Sequence, residues 1–381
     1  MRKKNTHRVE VVELPVPIVG TSVQLRFHHY GEAGQGPKVY LQAALHADEI
    51  PGLLVMQKLM DLLDAADEQG DIVGHIVAAP VANPIGMNQF VLGSLQGRFY
   101  AENGRNFNRG FAELSSAIAE RIEHELSDDA TQNTTAIRKA AREVMASQKP
   151  QTALDILQHE LLSRSIDADY VFDLHCDYDA NLYFYTLPEL WPALSDLAAY
   201  MGCGSVLLAE AEPSMPFDEA NSGLWQRLSN FFPDRPIELA CVSTTLELRS
   251  RTDVAEETAL ADAQGIYAYL QSRGVIAGDA PKVPALQCEA TPNSGVGQIV
   301  APHAGVVTYQ CKVGEHVEEG EQVATLRSLD REEDATLLHA PVSGVLHSRQ
   351  PERYTFAGRT ICEIAGKYPL SVNKGKLMLS D

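Results

Sequence analysis

Three short segments, far apart in the 381-residue sequence, carry the residue types of a hydrolytic metal site. The first supplies His46 and Glu49, the second supplies His175 and the third supplies Glu247. Two histidines and one carboxylate form the three-protein-ligand set of a catalytic zinc, which leaves the fourth position open for water. A second carboxylate could then act as the base. The pattern therefore predicts a hydrolase that binds one zinc ion per chain.

The elements around these segments would place them at the ends of strands. Residues 38–45 form an apolar run typical of a buried strand, and apolar residues recur at helical spacing from 48 to 63. His46 would then lie where a strand ends and a helix begins, with Glu49 in the first helical turn. Two further short strands end at or near His175 and Glu247. Open α/β sheets bind their ligands at the carboxyl ends of strands.

Each segment taken alone has an ordinary explanation. A histidine followed three residues later by a glutamate is common by chance. His175 could be a core histidine bonded to a carbonyl group, and Glu247 could be a paired structural carboxylate. Because all three segments fall at strand ends in an α/β pattern, the metal site is favoured.

A fourth segment, residues 98–109, supplies positive charge. Arg98, Arg105 and Arg109 lie in this Gly-containing loop, although the chain has only 31 Lys+Arg against 51 Asp+Glu. Planar guanidinium groups bind carboxylates through two parallel hydrogen bonds. We therefore expect the loop to bind an acidic group of the substrate. For Arg105, a surface salt bridge is an open alternative.

Together these segments resemble the signature of zinc carboxypeptidase-like hydrolases, and specifically of the succinylglutamate desuccinylase/aspartoacylase family. The resemblance extends over roughly residues 38 to 274, with the motifs in the expected order. The motifs are His46-Ala-Asp-Glu49-x-x-Gly52, Asn108-Arg109, Asp173-Leu-His175 and Glu247-Leu-Arg249.

The resemblance implies a role for each matching residue in the metal site. His46, Glu49 and His175 would be the ligands of one zinc ion. By the same resemblance, Glu247 would be the general base. The open fourth position of the zinc ion would hold the water molecule that attacks the substrate.

The resemblance also implies how the substrate is held. Asn108 and Arg109 would bind its carboxylate. Arg105 is a further candidate for substrate binding because it belongs to the same cationic loop, and the resemblance does not assign it a role. Arg98 would polarise the scissile carbonyl.

The implied activity is hydrolysis of the amide bond of an N-acyl amino acid or a related small N-acyl amine. A long helical stretch between residues 110 and 169 and an added C-terminal module depart from the desuccinylases, so the acyl group and the amine are open. One alternative is a zinc carboxypeptidase that acts on peptides. A non-enzymatic scaffold is the other alternative, and the complete set of catalytic residue types disfavours it.

The rest of the first 280 residues alternates between strand and helix patterns. Strands near Val39 and at 76–79, 170–174 and 239–248 are interspersed with helices near 52–68, 112–126, 134–147, 151–164 and 255–273. This alternation predicts an α/β domain over residues 1–280, with a mixed sheet flanked by helices as in zinc carboxypeptidases.

Residues 212–236 lack a clean hydrophobic period. We interpret this segment as a loop that covers the substrate and contains one set of helical turns. An excursion that serves only packing is about equally open.

Beyond Gly278 the composition shifts to Pro, Gly and Val, and an internal repeat begins. Residues 301–306 recur as 340–345, and 319–326 recur as 357–364. Two similar halves made of short strands predict a small all-β sandwich over residues 290–381.

This predicted sandwich resembles the biotinyl/lipoyl-type domain. Asp330 stands where that family carries its modified lysine, so no swinging arm can be attached there. We expect a structural module that caps the catalytic domain, shapes its entrance or mediates oligomers.

The formal net charge of −20 limits the partners. Nucleic acids and anionic membranes bind basic surfaces, so both are disfavoured. A cationic or zwitterionic small molecule suits this charge, yet a few fixed arginines can still bind an anion because salt screens distant charges beyond about 8 Å. We expect small-molecule partners only, and a homo-oligomer is left open.

The sequence also bears on the cellular compartment. No apolar run follows the basic start to form a signal peptide, and none is long enough to span a bilayer. The six cysteines lack C-x-x-C spacing, which argues against a disulfide framework and a thiolate zinc site. We expect a cytoplasmic protein with reduced thiols.

Overall fold

The structure of the protein is a computed structural model that describes residues 5–15, 19–210, 214–330 and 335–371. Its α-helices are α1 (Pro51–Gln69), α2 (Ser115–Ile122), α3 (Ala130–Ser147), α4 (Ala153–Ser165), α5 (Trp191–Met201), α6 (Phe217–Phe231) and α7 (Glu256–Ser272).

The strands of the first 300 residues are β1 (Arg8–Leu14), β2 (Val23–Tyr30), β3 (Lys38–Ala43), β4 (His75–Ala79), β5 (Phe90–Val91), β6 (Ser94–Leu95), β7 (Tyr170–Asp177), β8 (Asp179–Ala180), β9 (Leu182–Thr186), β10 (Ser205–Leu208), β11 (Val242–Ser250), β12 (Ala290–Pro292) and β13 (Val296–Val300). The later strands are β14 (Gly305–Tyr309), β15 (His316–Val317), β16 (Gln322–Arg327), β17 (Thr336–His339), β18 (Gly344–Arg349), β19 (Tyr354–Thr355) and β20 (Thr360–Gly366).

The chain divides into two compact units. The first unit comprises Met1–His175, Ala211–Thr245 and Val254–Val283. The second comprises Cys176–Glu210, Leu246–Asp253 and Pro284–Asp381. The predicted domain bounds, 1–280 and 290–381, stay a prediction.

The first unit contains a mixed sheet with strand order β1-β2-β4-β3-β7-β11. Strand β3 runs parallel to β4 and β7, so that Leu41 lies opposite Ala78 and Phe172. Strands β1, β2 and β4 pair antiparallel. All five residues of β4, and all of β3 except Lys38, are buried, as expected for parallel strands that are covered on both faces.

Helix α1 connects β3 to β4 and follows the first metal-site segment directly. Pro51 occupies its first turn, where the missing N–H costs nothing, and Gly70 ends it in the left-handed conformation at φ 72°. Val55, Leu59 and Leu63 are buried along one face. The sequence predicted this helix to within one residue at each end.

The stretch between residues 110 and 169 folds into α2, α3 and α4, as the helical pattern predicted. Asp129 caps α3 by accepting hydrogen bonds from two backbone N–H groups, and Thr152 caps α4 in the same way with one. Ile137 and Leu157 are fully buried in the core of the first unit.

The interpretation of residues 212–236 as a covering loop is wrong for most of the segment. Helix α6 spans Phe217–Phe231, and Trp225 and Leu228 belong to the core of the first unit. Polar residues of α6 such as Asn221 are buried as well, so burial extends around most of the helix and is not confined to one apolar face. Residues 211–213 lie outside the described residues.

The second unit contains a parallel group of strands and a sandwich. Strand β10 pairs parallel with both β9 and β12, and helix α5, which the sequence analysis missed, precedes β10. The C-terminal strands form two antiparallel sheets with orders β13-β20-β18-β15 and β17-β16-β14-β19. The repeated segments supply β14 and β16 to one sheet and β18 and β20 to the other, around a core that includes Val323 and Ile364.

These observations confirm the predicted fold class, a mixed α/β sheet with helices and a small all-β C-terminal part. All six cysteines lie in the described part of the chain, and none forms a disulfide. Among the described residues, no helix is both long enough and apolar enough to cross a membrane.

Candidate metal centre

The first metal-site segment is a tight turn between β3 and α1. Ala44, just after β3, has a left-handed backbone with φ 58°, which a non-glycine residue adopts at a cost. The N–H of Glu49 donates to the carbonyl of His46 at 3.1 Å, so both side chains are held on one turn. The buried amide of Asn83 donates to the carbonyl of Leu45 at 2.8 Å, which fixes the backbone at the residue before His46.

Three buried side chains converge at the end of the parallel strands. His46 Nδ1 lies 2.9 Å from one carboxylate oxygen of Glu49, and His175 Nδ1 lies 2.8 Å from the other. The three side chains offer ligand atoms within 4.8 Å of one another. Two imidazoles and a carboxylate at this spacing could hold a metal ion, as the sequence predicted.

The outer nitrogens of the two imidazoles are also fixed. His46 Nε2 lies 2.8 Å from Asn106 Oδ1, and His175 Nε2 lies 2.9 Å from Asp173 Oδ2. The amide of Gln42 donates to the other oxygen of Asp173 at 2.9 Å. Partners of this kind set the tautomer and the ring orientation of metal-ligating histidines. Both rings therefore present Nδ1 to the candidate metal position.

The charges within this cluster shift the pKa values of its members in opposite directions. Burial alone would raise the pKa of Glu49, but the two neighbouring histidines lower it well below its usual value. Burial lowers the pKa of His46. Burial would also lower the pKa of His175, yet the carboxylates of Asp173 and Glu49 raise that pKa well above its usual value. Glu49 is therefore an ionised carboxylate, the form that binds metals.

Arg98 lies beside this cluster. Its Nη1 is 3.4 Å from Glu49 Oε1 and 3.3 Å from His46 Nδ1. The backbone reinforces the contact, since the N–H of Ala47 donates to the carbonyl of Gly97 at 3.0 Å. A fixed cation thus stands next to the candidate metal position.

The structure places Asn108 in contact with the same cluster. Its Nδ2 is 3.4 Å from His175 Nε2, and its Oδ1 accepts a hydrogen bond of 2.8 Å from the N–H of Phe217, the first residue of α6. The amide of Gln158 donates to the carbonyls of Phe107 and Arg109, at 3.0 and 2.9 Å. Gln158 of α4 therefore fixes the backbone on both sides of Asn108, and the first residue of α6 fixes the Asn108 side chain.

The two remaining arginines of the loop have different partners. Arg109 Nη1 donates to the carbonyl of Asn108 at 2.8 Å. Arg105 Nη1 pairs with Asp155 at 2.7 Å on the surface, with both side chains more than a third exposed. This pair is the surface salt bridge that the sequence left open for Arg105.

Glu247 lies on β11, in the part of that strand that belongs to the second unit. Its side chain is partly buried. Two residues later, Arg249 has a left-handed backbone with φ 64°. The role of Glu247 as general base stays a prediction.

The family model of the succinylglutamate desuccinylase/aspartoacylase catalytic domain matches residues 35–273. The chain belongs to this family. Members of this family are hydrolytic deacylases, enzymes that act on the amide bonds of small N-acyl amino acids. A comparison with curated proteins gave no match.

Solved structures support the same family. A protein assigned as a succinylglutamate desuccinylase/aspartoacylase from Shewanella frigidimarina NCIMB 400 is 26% identical with a TM-score of 0.83, over 97% of this chain and 100% of that chain. A family protein from Shewanella amazonensis SB2B is 29% identical with a TM-score of 0.82, over 94% and 99%. A succinylglutamate desuccinylase/aspartoacylase from Rhodobacter sphaeroides shares the fold at 17% identity and a TM-score of 0.67, over 97% and 98%.

Sequence reasoning missed the residues that orient the site. Asn106 and Gln42 carry no metal-ligand spacing, and the pattern of residues 212–236 predicts only one set of helical turns where α6 lies. Asp173 falls within the Asp173-Leu-His175 motif, which predicts no role for it. Two features of the sequence could have indicated these residues: Gln42 is a polar residue within the apolar run 38–45, and Asn106 lies two residues before Asn108.

Proposed function

We propose that this desuccinylase/aspartoacylase family member is a zinc-dependent deacylase that hydrolyses the amide bond of an N-acyl amino acid or a related small N-acyl amine. One observation carries the proposal. The Nδ1 atoms of His46 and His175 converge on the two oxygens of the buried Glu49 carboxylate, while their Nε2 atoms are occupied by other partners.

This donor set fits zinc. Two imidazole nitrogens and one carboxylate are the protein ligands of many catalytic zinc sites, and the orienting partners of both imidazoles are in place. One zinc ion held by these residues would activate a water molecule and polarise the substrate carbonyl. Two imidazoles and a carboxylate also suit other divalent transition metals, and elemental analysis of the purified protein identifies the one that is bound.

The remaining roles follow from the motifs and the contacts. Glu247 would accept the proton of the attacking water and return it to the departing amine. Asn108 and Arg109 would hold a substrate carboxylate, which fixes the orientation of the amide before the reaction. Arg98, with its guanidinium next to Glu49, would stabilise negative charge on the scissile carbonyl oxygen.

A substrate panel tests this function. The zinc-loaded protein is incubated with N-acyl amino acids that differ in acyl group and amine, and with peptides that have free C-termini; amine release is measured. We expect release from at least one N-acyl amino acid, with a higher kcat/KM than for any peptide. Preference for peptides would identify a carboxypeptidase, and release from neither class would contradict the proposal.

A further inference from the structure

The sandwich is joined by a strand pair to the segment that follows His175 in the chain. Within the second unit, β18 pairs antiparallel with β8, so that Ser348 lies opposite Ala180 and Arg349 opposite Asp179. The guanidinium of Arg349 donates to the Asp179 carboxylate at 2.7 Å. The segment after His175 is thus held by backbone pairing and by an ion pair.

Ser348 also begins a chain of side-chain hydroxyl contacts. Its hydroxyl donates to Asp177 Oδ2 at 2.5 Å, and the hydroxyl of Tyr183 donates to the same oxygen at 3.1 Å. The hydroxyls of Tyr183 and Tyr185 are 3.3 Å apart. One carboxylate oxygen therefore connects a sandwich residue to Tyr183, and the Tyr183 hydroxyl extends the contact to Tyr185.

Packing fixes the same group of residues. The ring of the fully buried His347 meets the ring of Tyr183 edge-on, with centroids 5.1 Å apart. Tyr183 also belongs to an apolar cluster with Val296 and Ala365 of the sandwich. Since Tyr183 is only 2% exposed, its hydroxyl has little freedom to find another acceptor.

Strand β9, which carries the two phenols, is the hydrogen-bonded neighbour of β11, which carries Glu247 of the same unit. Burial raises the pKa of Tyr183 and of Tyr185 well above the usual value, and the charge of Glu247 raises both further. Both phenols consequently keep their protons at neutral pH and act as hydrogen-bond donors.

We propose that Ser348 is a positioning residue for the reaction, which acts through Asp177 and Tyr183 on the segment between His175 and Tyr185. The sandwich would then contribute to the surroundings of Glu247 through these hydrogen bonds, in addition to any role in covering the catalytic domain. Only the kinetic test of this inference rests on the proposed function. The structural basis is that Ser348 binds Asp177, and Asp177 is the last residue of β7, the strand that also carries His175.

The test compares two serines of the sandwich. Ser348→Ala removes the donor to Asp177, whereas Ser343→Ala is the matched control, because the Ser343 hydroxyl donates to Glu318 within the sandwich at 2.9 Å. We expect Ser348→Ala to lower kcat roughly tenfold, the effect of losing a hydrogen bond to a charged group, with KM changed less than about twofold. Ser348→Thr keeps the hydroxyl and should restore most of kcat.

A double-mutant cycle identifies the route. Ser348→Ala and Tyr183→Phe remove donors from the same oxygen of Asp177, so their effects on kcat should be less than additive. Full additivity would show that the two residues act independently and would overturn the proposed route.

Hydrogen exchange supplies a readout that does not depend on activity. We expect amides 177–186 to exchange faster in Ser348→Ala than in the wild type, and to be unchanged in Ser343→Ala. Equal exchange and equal kcat for the two alanine variants would overturn the inference. Absence of deacylase activity in the wild type would contradict the proposed function instead, and the exchange experiment would still decide whether Ser348 holds the segment.

Discussion

At the scale of single residues, two arginines of one loop have different environments. Arg105 is neutralised by Asp155 on the surface, whereas Arg109 follows Asn108, which contacts His175. We predict that Arg109→Ala raises KM roughly 10-fold to 100-fold, because the substrate carboxylate loses the guanidinium group that would bind both of its oxygens. Arg105→Ala is the matched control and should change KM less than about threefold, in line with the small value of exposed ion pairs. Steady-state kinetics with equal, small effects for both variants would show that the clamp lies elsewhere.

Glu247 is the residue on which the proposed reaction depends most. Glu247→Gln keeps the size and the hydrogen-bonding capacity of the side chain but cannot accept a proton. Because Glu247 is not proposed as a ligand, we predict that metal content and substrate affinity persist while kcat falls by about 10²-fold to 10⁴-fold. Metal analysis and kinetics of the same preparation measure both effects.

The outcomes of that substitution separate three accounts. Loss of metal would make Glu247 a ligand and Glu49 the candidate base. Retention of most of the activity would remove Glu247 from the reaction. Inactivity with the metal retained is the outcome that we expect.

At the scale of elements, the turn that carries His46 and Glu49 is packed against the backbone of the Arg98 loop. A Cβ atom added to the buried Gly97 would lie 2.1 Å from Asp48 N and 2.5 Å from Ala47 C. Backbone atoms cannot move aside as a flexible side chain can, so the turn would have to shift.

We therefore predict that Gly97→Ala destabilises the first unit by roughly 1–3 kcal/mol and weakens metal binding. The matched control is Gly223→Ala within α6, where the nearest atom is the end of the Arg227 side chain at 3.0 Å. Urea unfolding and competition with a chelator measure the two effects. A Gly97→Ala protein with normal metal retention would mean that this contact does not hold the turn.

The elements differ in how well the sequence predicted them. Helix α1 has a clear apolar period, a proline at its start and a glycine at its end, and its bounds were predicted closely. Helix α6 is buried on nearly all sides and includes buried Asp218, Asn221 and Ser222, and the burial of these polar side chains could not be predicted from hydrophobicity. Its position next to Asn108 is a tertiary contact, which spacing along the chain does not encode.

The metal ligands were predictable because their motifs are local. His46 and Glu49 lie three residues apart, and His175 directly follows the apolar run of residues 170–174 within β7. Their orienting partners were not predictable in this way. Asn106 reaches His46 across 60 positions of sequence, and Gln42 reaches Asp173 across 131. Contacts of this kind depend on the strand register and on loop packing.

At the scale of the whole molecule, acid should destabilise the fold through a buried histidine pair. His75 Nε2 is 3.2 Å from His29 Nδ1, and burial, with help from the nearby Lys38, lowers the pKa of His75 from 6.5 to about 4. The unfolded chain then binds a proton at a higher pH than the folded chain. The stability that this group contributes is present above pH 6.5 and is lost as the pH falls towards about 4.

We predict that His75→Gln makes stability less dependent on pH in this interval, because glutamine cannot titrate. The exposed His124→Gln is the control and should follow the wild type. Free energies of unfolding in urea between pH 7 and pH 4 provide the comparison. Identical slopes for the wild type and His75→Gln would exclude a contribution from this histidine.

The predicted cytoplasmic location, the oligomeric state and the domain bounds stay predictions. The net charge of −20 bears on partners more than on the fold.

The central claim is that zinc held by His46, Glu49 and His175 is required for deacylase activity. The most direct measurement is a titration of the metal-free protein with zinc, followed by amine release from the best N-acyl amino acid. We predict that activity is near zero without metal, rises linearly and reaches a plateau at about one zinc per chain, and that His175→Ala shows no such rise. Full activity of the metal-free protein, or a rise in His175→Ala that matches the wild type, would contradict the account.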